Sequence, residues 1–442
     1  MEDYIEINYK KLRKIRKEKG LSITKVAKEI NIPAATFQKY ETGLIKKIPL
    51  NLFTNIYGGY AFKSENLLNY KSKYQIIKMG NVNNNTLNLE KNPSYLNTIS
   101  QKELPYLLEK NDIILTLTGT FGKKDFGYSY QIKNETNLLL NQRLAVFKIT
   151  NSNYSANFLK YILLNNTFLN KFFRFSVGGT GNQANVSIQD IKSFKIPFPK
   201  LEEQEKIANF LTTIDKKITN LENIITSLEN QKKGLLQQIF SQKLRFKDKN
   251  GNNYPNWEKK KLGDIGSFSR GGNLSKSDLS KKGTSCILYG ELYTYYNEFA
   301  TEIKSKTLNT TNLVLSKKYD VLLPLSGETA EDISTCTCIF FDDIALGSDL
   351  LIFRSSFFDG RFMSLLLKYK YKYKIAQIAQ GKSIVHISEK NIKNINIKIP
   401  CIEEQQNIAD FILIFTKKLE NQKAQLKHWK QIKKGLLQQM FI

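Results

Sequence analysis

Apolar residues recur at alternating spacings of four and three along two stretches of the chain. The first runs Ile207, Leu211, Ile214, Ile218, Leu221, Ile225, Leu228, Leu235 and Ile239, interrupted at Lys232. The second runs Ile408, Ile412, Phe415, Leu419, Leu426, Trp429, Leu436 and Met440, with Gln422 and Lys433 as its interruptions. Such spacing puts one apolar seam along a helix and calls for a partner helix. It predicts two helices of about forty residues, each a rod of roughly 60 Å at the usual rise. Two such seams in one chain are expected to bury each other; the alternatives are that each helix packs on its own domain or that the pair dimerises the protein.

The two stretches are copies. Pro199-Lys200-Leu201-Glu202-Glu203-Gln204 returns as Pro400-Cys401-Ile402-Glu403-Glu404-Gln405, and Lys232-Lys233-Gly234-Leu235-Leu236-Gln237-Gln238 returns as Lys433-Lys434-Gly435-Leu436-Leu437-Gln438-Gln439. The displacement is 201 residues at both ends, with no insertion or deletion between. A period this long is not that of a solenoid, whose repeats run about 20 to 50 residues, and implies two domain-sized modules.

Those modules, residues 47–198 and 243–399, read as short β-branched strands, polar turns and one helix each. Signposts recur in the same order. Tyr57-Gly58-Gly59 corresponds to Arg270-Gly271-Gly272, Ile76 to Asn81 corresponds to Ile287 to Glu291, and Asp112 to Gly119 corresponds to Asp320 to Gly327. Each module then passes through an aromatic-rich helix into a glycine-containing loop, Gly178 to Ser187 and Gly381 to Ser388. Between signposts the residues differ freely, as expected when a common frame must recognise different things. The division expected is 1–46, 47–198, 199–242, 243–399 and 400–442.

Residues 1–46 read differently. A basic helix around Leu12 to Lys19 closes at Gly20, a second runs from Leu21 to Ile30 capped by Ser22, and a third follows Pro33. The segment resembles the phage-repressor type of helix-turn-helix, which implies Thr36, Gln38 and Lys39 on the groove-facing helix. It departs from that pattern at Asn31, where glycine is common, and at the bulky Phe37. Small three-helix units also serve as protein docking sites.

Composition narrows the partners. The 442 residues carry 67 Lys and Arg against 40 Asp and Glu, a formal net charge of +27. Nucleic acid is the leading counterpart, since each neutralised phosphate releases condensed counterions; an AT-rich coding sequence would explain part of the same excess. No apolar run reaches the roughly 20 residues of a membrane helix, and the charged start, Met1 to Lys19, is no secretory leader, so a cytosolic protein is expected. Cys286, Cys336, Cys338 and Cys401 lack the spacing of a metal site, and His386 and His428 are the only histidines, so neither zinc nor a disulfide is expected.

Catalytic motifs are incomplete. Asn92-Pro93-Ser94-Tyr95 is one residue from the Asn-Pro-Pro-Tyr motif with which adenine methyltransferases hold a flipped base, but no cofactor-binding strand, glycine turn and helix accompany it, and a loop turn is expected. Gly381-Lys382-Ser383 imitates the end of a phosphate loop, yet Ala376 stands where the earlier glycine is required. Lys368 to Lys374 alternates lysine and tyrosine and is expected to continue the preceding helix; it suits either a solvated face with buried rings or a phosphate-tracking surface. Lys171 to Phe175 poses the same choice in the first module.

Taken together, the paired Pro-x-x-Glu-Glu-Gln starts, the paired Lys-Lys-Gly-Leu-Leu-Gln-Gln ends and the Asn253-Tyr254-Pro255-Asn256-Trp257 lead-in to the second module resemble the specificity subunits of type I restriction and modification systems. The likeness covers roughly residues 47–442; the first module lacks the tryptophan lead-in, and the helix-turn-helix stands in its place. The resemblance implies an α+β fold: two pseudo-symmetric α/β target recognition domains separated by two long antiparallel coiled-coil helices, with the small all-α segment added. It implies a non-catalytic chain that reads a split double-stranded DNA target with a gap of fixed length and docks two methyltransferase subunits and restriction/translocase subunits. S-adenosylmethionine, ATP and magnesium would belong to those partners, with no cofactor in this chain. Base contacts are expected from Thr180, Asn182, Gln183 and Asn185 and from Lys382, Ser383 and His386, and phosphate contacts from Lys123 and Lys124. Two other readings use the same residues differently: a helix-turn-helix transcriptional regulator acting through Thr36, Gln38 and Lys39, and a non-catalytic coiled-coil scaffold.

Overall fold

In the computed structural model, which describes residues 16–17, 20–29, 34, 38, 47–178, 182–381 and 384–440, the chain forms two compact units. The first comprises residues 1–221 and 425–442, the second residues 222–424. At the amino-terminal end, Gly20 takes a left-handed φ of 61° and its N–H bonds the Lys17 carbonyl, closing a helical turn. Helix α1 (Ile23–Glu29) follows, with the Ser22 hydroxyl accepting from the Lys25 N–H at 3.0 Å. Ile23, Val26 and Ala34 pack against the core of the first unit.

The first unit is built on an antiparallel sheet of β1 (Thr54–Gly58), β3 (Ile113–Thr116), β5 (Ser129–Gln131) and β7 (Leu144–Ile149), in the order β1-β7-β3-β5. Strand β2 (Tyr74–Ile77) runs parallel to β6 (Leu138–Leu140), and β4 (Thr118–Thr120) belongs to a separate ribbon with β8 (Val177–Gly178) and β9 (Gln183–Asn185). Along β7, Ala145 and Phe147 enter one core and Leu144 and Val146 another. Successive side chains point to opposite faces, so a strand buried on both faces reads as an unbroken apolar run. Helices α2 (Ala156–Leu163) and α3 (Asn166–Arg174) cover the first of these cores, and α4 (Leu201–Phe240) begins beside them.

The second unit repeats the plan. Its main sheet contains β10 (Ser267–Arg270), β12 (Val321–Pro324), β14 (Thr337–Ile339) and β16 (Leu350–Arg354) in the order β10-β16-β12-β14, with Phe299–Ala300 added outside β14. Strand β11 (Thr284–Ile287) runs parallel to β15 (Ala345–Leu346), and β13 (Ser326–Gly327) pairs antiparallel with β17 (Val385–His386). Helices α5 (Gly360–Tyr369) and α6 (Lys372–Gln377) precede the long α7 (Ile402–Met440).

Equivalent contacts hold both frames. Asp112 pairs with Lys148 at 2.9 Å and accepts the Glu109 N–H; Asp320 pairs with Arg354 at 2.5 Å and accepts the Lys317 N–H. Burial raises the Asp112 carboxyl despite its hydrogen bonds, and Lys148 is raised by its carboxylate partners against the cost of burial. Buried Asn81 accepts from the Lys78 N–H as buried Glu291 accepts from the Leu288 N–H, each at 2.8 Å. A Cβ on Gly59 would lie 2.2 Å from the Asn141 carbonyl oxygen, and one on Gly271 would lie 1.9 Å from that of Gly347, so the shared glycines serve close backbone approach.

The one helix expected per module is divided instead. Asn165 caps α3 by accepting the Thr167 N–H, separating it from α2. In the second unit the break falls at Lys370 and Tyr371, so Lys368 to Lys374 does not continue α5. Lys370 donates to the Phe240 carbonyl at the end of α4, Tyr371 is buried and its hydroxyl accepts from the Lys398 N–H, and Tyr373 alone among these rings is largely exposed. Tyr371 and the Lys370 contact are therefore internal packing, while Tyr369, Tyr373 and Lys374 remain exposed.

The repeated motifs acquire physical roles. Gln204 and Gln405, each 1 % exposed, turn back to bond the carbonyls of Pro199 and Pro400 at 2.9 Å, while their oxygens accept the N–H of Ser155 and Asp359, the residues capping α2 and α5. Each long helix is thereby clamped to a helix of its module. In the first unit, Leu426, Trp429, Leu436 and Met440 of α7 pack with Ile207, Leu211, Ile214 and Ile218 of α4, and Lys433 pairs with Asp215 at 2.6 Å. In the second, Glu229 meets Lys423 at 2.6 Å and, one turn on, Lys232 shares Glu298 with Thr416; numbers rise on α4 as they fall on α7, so the helices are antiparallel. After Lys232 the buried position is Leu236, not Leu235, and on α7 Thr416 is buried beside a half-buried Phe415.

Lysines that interrupt the seam are thus its ionic anchors. Burial would raise the Glu298 carboxyl, but the Lys232 ammonium outweighs it and holds the group below its ordinary range, with a further bond from the Tyr369 hydroxyl. Glu298→Gln, which strands a buried ammonium, is expected to destabilise the second unit by about 3 kcal/mol or more, read from the urea midpoint, and Lys232→Met in the same chain should restore most of the loss. Because the folded carboxyl titrates lower than the unfolded one, its contribution is complete above the ordinary carboxylate range and disappears as pH falls through the lowered value; the double variant should flatten that acid limb.

Candidate nucleic-acid interface

In the first unit the ribbon β8-β9-β4 gathers most of the polar residues expected to make contact. Ala184 is buried, so its neighbours Gln183 and Asn185 face outward by strand alternation and are exposed. Asn182 adopts a left-handed φ of 63°, and its carbonyl accepts from the Phe121 N–H at 2.8 Å. That bond carries the ribbon into the turn bearing Lys123 and Lys124. Asp125 latches the turn by accepting from the Thr120 N–H at 2.8 Å and its hydroxyl at 2.6 Å, bonds that hold the carboxyl below its ordinary range. Lys124 lies over the Phe173 ring at 5.5 Å. Asn182, Gln183, Asn185, Lys123 and Lys124 therefore share one exposed ribbon; Thr180 lies outside the described residues.

In the second unit β13 and β17 occupy the corresponding place. The exposed His386 directs Nδ1 to the Ser326 hydroxyl at 2.9 Å, and that hydroxyl also bonds the Asp349 carboxylate at 3.0 Å. All three line an open cleft of about 290 Å³ that also includes Arg270, Gln380 and Asn391. The order is carboxylate, hydroxyl, imidazole. A carboxylate accepts only, so Ser326 gives it the proton and receives one from Nδ1–H; the serine is not activated, since a hydrolytic triad needs the imidazole in the middle. Lys382 and Ser383 lie outside the described residues. The sequence reading singled out His386 but neither Ser326 nor Asp349, 60 and 37 residues upstream, although the matched signposts had already placed Ser326 opposite Thr118 in the frame.

Other motifs resolve into structure. Asn92 sits in a left-handed turn at φ 46°, and Tyr95 is buried in a strand beside β2, leaving it no face for a base. A cleft of about 530 Å³ lined by Tyr289, Tyr293 and Tyr295 contains Glu291, whose carboxylate already serves the Leu288 N–H and Ser305 hydroxyl. Burial pushes the Cys286 thiol up to about 11 and that of Cys336 to about 12, away from nucleophilic use. Among the described residues no group of His, Cys, Asp or Glu is placed to hold a metal, and no helix is long and apolar enough to cross a membrane. Gln38 is exposed in a helical turn, whereas Thr36 and Lys39 lie outside the described residues.

Two copies of one frame, each ending in an exposed ribbon, agree with the comparison to known proteins. Residues 45–230 and 254–428 each match the profile described as type I restriction modification DNA specificity domain. The chain belongs to that family. The MjaVIII specificity subunit of a type I restriction enzyme from Methanocaldococcus jannaschii is 25% identical over 354 residues, 77% of this chain and 80% of that one. In fold, this specificity-family chain resembles the crystal structure of the type I restriction-modification S subunit from M. genitalium, with a TM-score of 0.58, 16% identity and coverage of 90% and 96% of the two chains. A second similar structure, from work on complex assembly and conformational transition of the type I R-M system, has a TM-score of 0.52 at 13% identity, covering 90% and 97%.

The latch in the first specificity module has a pH signature. Since Asp125 titrates below an unstructured aspartate, the Thr120 amide should keep its bonded chemical shift as pH falls through the ordinary carboxylate range and move only below it. An NMR titration showing an ordinary aspartate midpoint would exclude the latch.

Proposed function

We propose that this chain is the DNA-recognition subunit of a type I restriction-modification complex, working in the cytosol. Each module lays its ribbon and adjoining loops into the major groove of one half-site, where all four base pairs are distinguishable, while lysines such as Lys123 and Lys124 fix register on phosphates. The observation that carries this reading is the ribbon itself: the same place in both frames presents exposed polar side chains, and those side chains differ between modules. The target is accordingly bipartite, with a gap of constant length between its half-sites.

The chemistry lies with the partners. Two methyltransferase subunits would use S-adenosylmethionine to modify adenine in each half-site, and restriction/translocase subunits would use ATP and magnesium; this chain supplies the address. Mapping methylated adenines in DNA modified by the co-purified complex tests the assignment: a single bipartite motif is expected, and methylation without sequence preference would sink it. Removal of residues 1–46 should leave that motif unchanged, whereas a helix-turn-helix regulator would lose specific binding. Lys123→Ala and Lys124→Ala should each weaken binding about equally for all sequences and lower the slope of log affinity against log salt by about 1.

A further inference from the structure

Asn185 and His386 stand 201 residues apart, the same displacement that relates the two long helices. Their strand partners correspond as well, Thr118 opposite Asn185 on β4 and Ser326 opposite His386 on β13. In both modules the hydroxyl on the facing strand touches the polar group across from it: Thr118 Oγ1 donates to Asn185 Oδ1 at 3.3 Å, and Ser326 Oγ meets His386 Nδ1 at 2.9 Å. The supporting backbone is common too, with the N–H of Leu117 and Leu325 bonding the carbonyls of Arg143 and Asp349. Only in the second module does the side chain at that last position, Asp349, reach the hydroxyl.

We propose that residues 118 with 185, and 326 with 386, form a base-reading couple in each module, in which the facing hydroxyl decides which donor or acceptor the exposed side chain offers to DNA. This rests on the reading of the modules as DNA recognisers and adds which positions specify a base. In the first module the hydroxyl occupies one lone pair of Asn185 Oδ1 and orients the amide, leaving Nδ2 as donor and Oδ1 as acceptor, the pattern that matches N7 and N6 of adenine. In the second, Ser326 donates its hydrogen bond to Asp349 and accepts one from His386 Nδ1–H, which in the neutral imidazole leaves Nε2 as an acceptor. An acceptor there selects a major-groove amino group, on adenine or cytosine, and discriminates against guanine and thymine. The same backbone position thereby presents a different donor and acceptor pattern to each half-site.

The test uses the full chain co-expressed with its modification subunits and a sequence map of the methylated adenines. His386→Asn is expected to change the accepted base at one position of one half-site, by about tenfold in relative methylation, leaving the other half-site and the gap unaltered. Asn185→His should do the same in the opposite half-site. Ser326→Ala, which keeps the histidine and removes its orienting hydroxyl, should relax discrimination at the position that His386→Asn alters. Should His386→Asn reduce the yield of folded complex, His386→Gln carries the same measurement. Variants that methylate the wild-type motif with unaltered preferences would overturn the couple while leaving the recognition function intact, and so would a folded complex that loses methylation at all sequences alike. If the wild-type complex itself yields no bipartite motif, the recognition function fails and the couple fails with it.

Discussion

The joint between each module and its long helix rests on a glutamine. Gln204 and Gln405 are buried amides that turn both oxygen and nitrogen inward, spanning the helix start, the proline carbonyl before it and the N–H of the residue capping the neighbouring helix. An unsatisfied buried amide costs about 1 to 3 kcal/mol, so neither element can shift without stranding the glutamine between them. In the second unit the joint is reinforced by Arg245, which grips the fully buried Glu404 of the same motif at 2.6 Å.

Frame and contents obey different physics. The frame positions, Asp112 with Lys148 and Asp320 with Arg354, or the glycines at 59 and 271, meet backbone and charge deep in the fold, where substitution would strand a partner or force a clash. Ribbon positions such as Gln183, Asn185 and His386 stand on the exposed side of paired strands, where side chains vary without disturbing the ladder beneath them. A protein that must keep its shape while changing its message needs this separation.

Local periodicity made the long helices legible in the sequence, and the matched motifs made the two-module plan legible. The partners of the seam lysines were not. Lys232 finds Glu298 sixty-six residues away, on a loop no heptad describes, and a polar seam residue read alone shows only an exception. The division of the aromatic helices escaped notice because Asn165 and Tyr371 act through single caps and ring burial rather than through glycine or proline. At the ribbons, hydrogen-bonding side chains beside glycine pointed to Asn182, Gln183, Asn185 and His386, which the fold leaves exposed, while Ser326 and Asp349 required tertiary pairing to come into view.

The first unit takes part of its core from the far end of the sequence. Asn165 bonds the Leu437 carbonyl across 272 residues, and Met440 is buried with Ile214 and Ile218. During synthesis at about 5–20 residues per second, the segment that seals this unit leaves the ribosome some ten seconds or more after the sheet it covers. In the interval the seam of α4 is exposed apolar surface, so the nascent chain would benefit from a chaperone, and a release-stalled chain lacking residues 425–442 should leave that unit open to protease while the second, whose residues all lie within 222–424, closes.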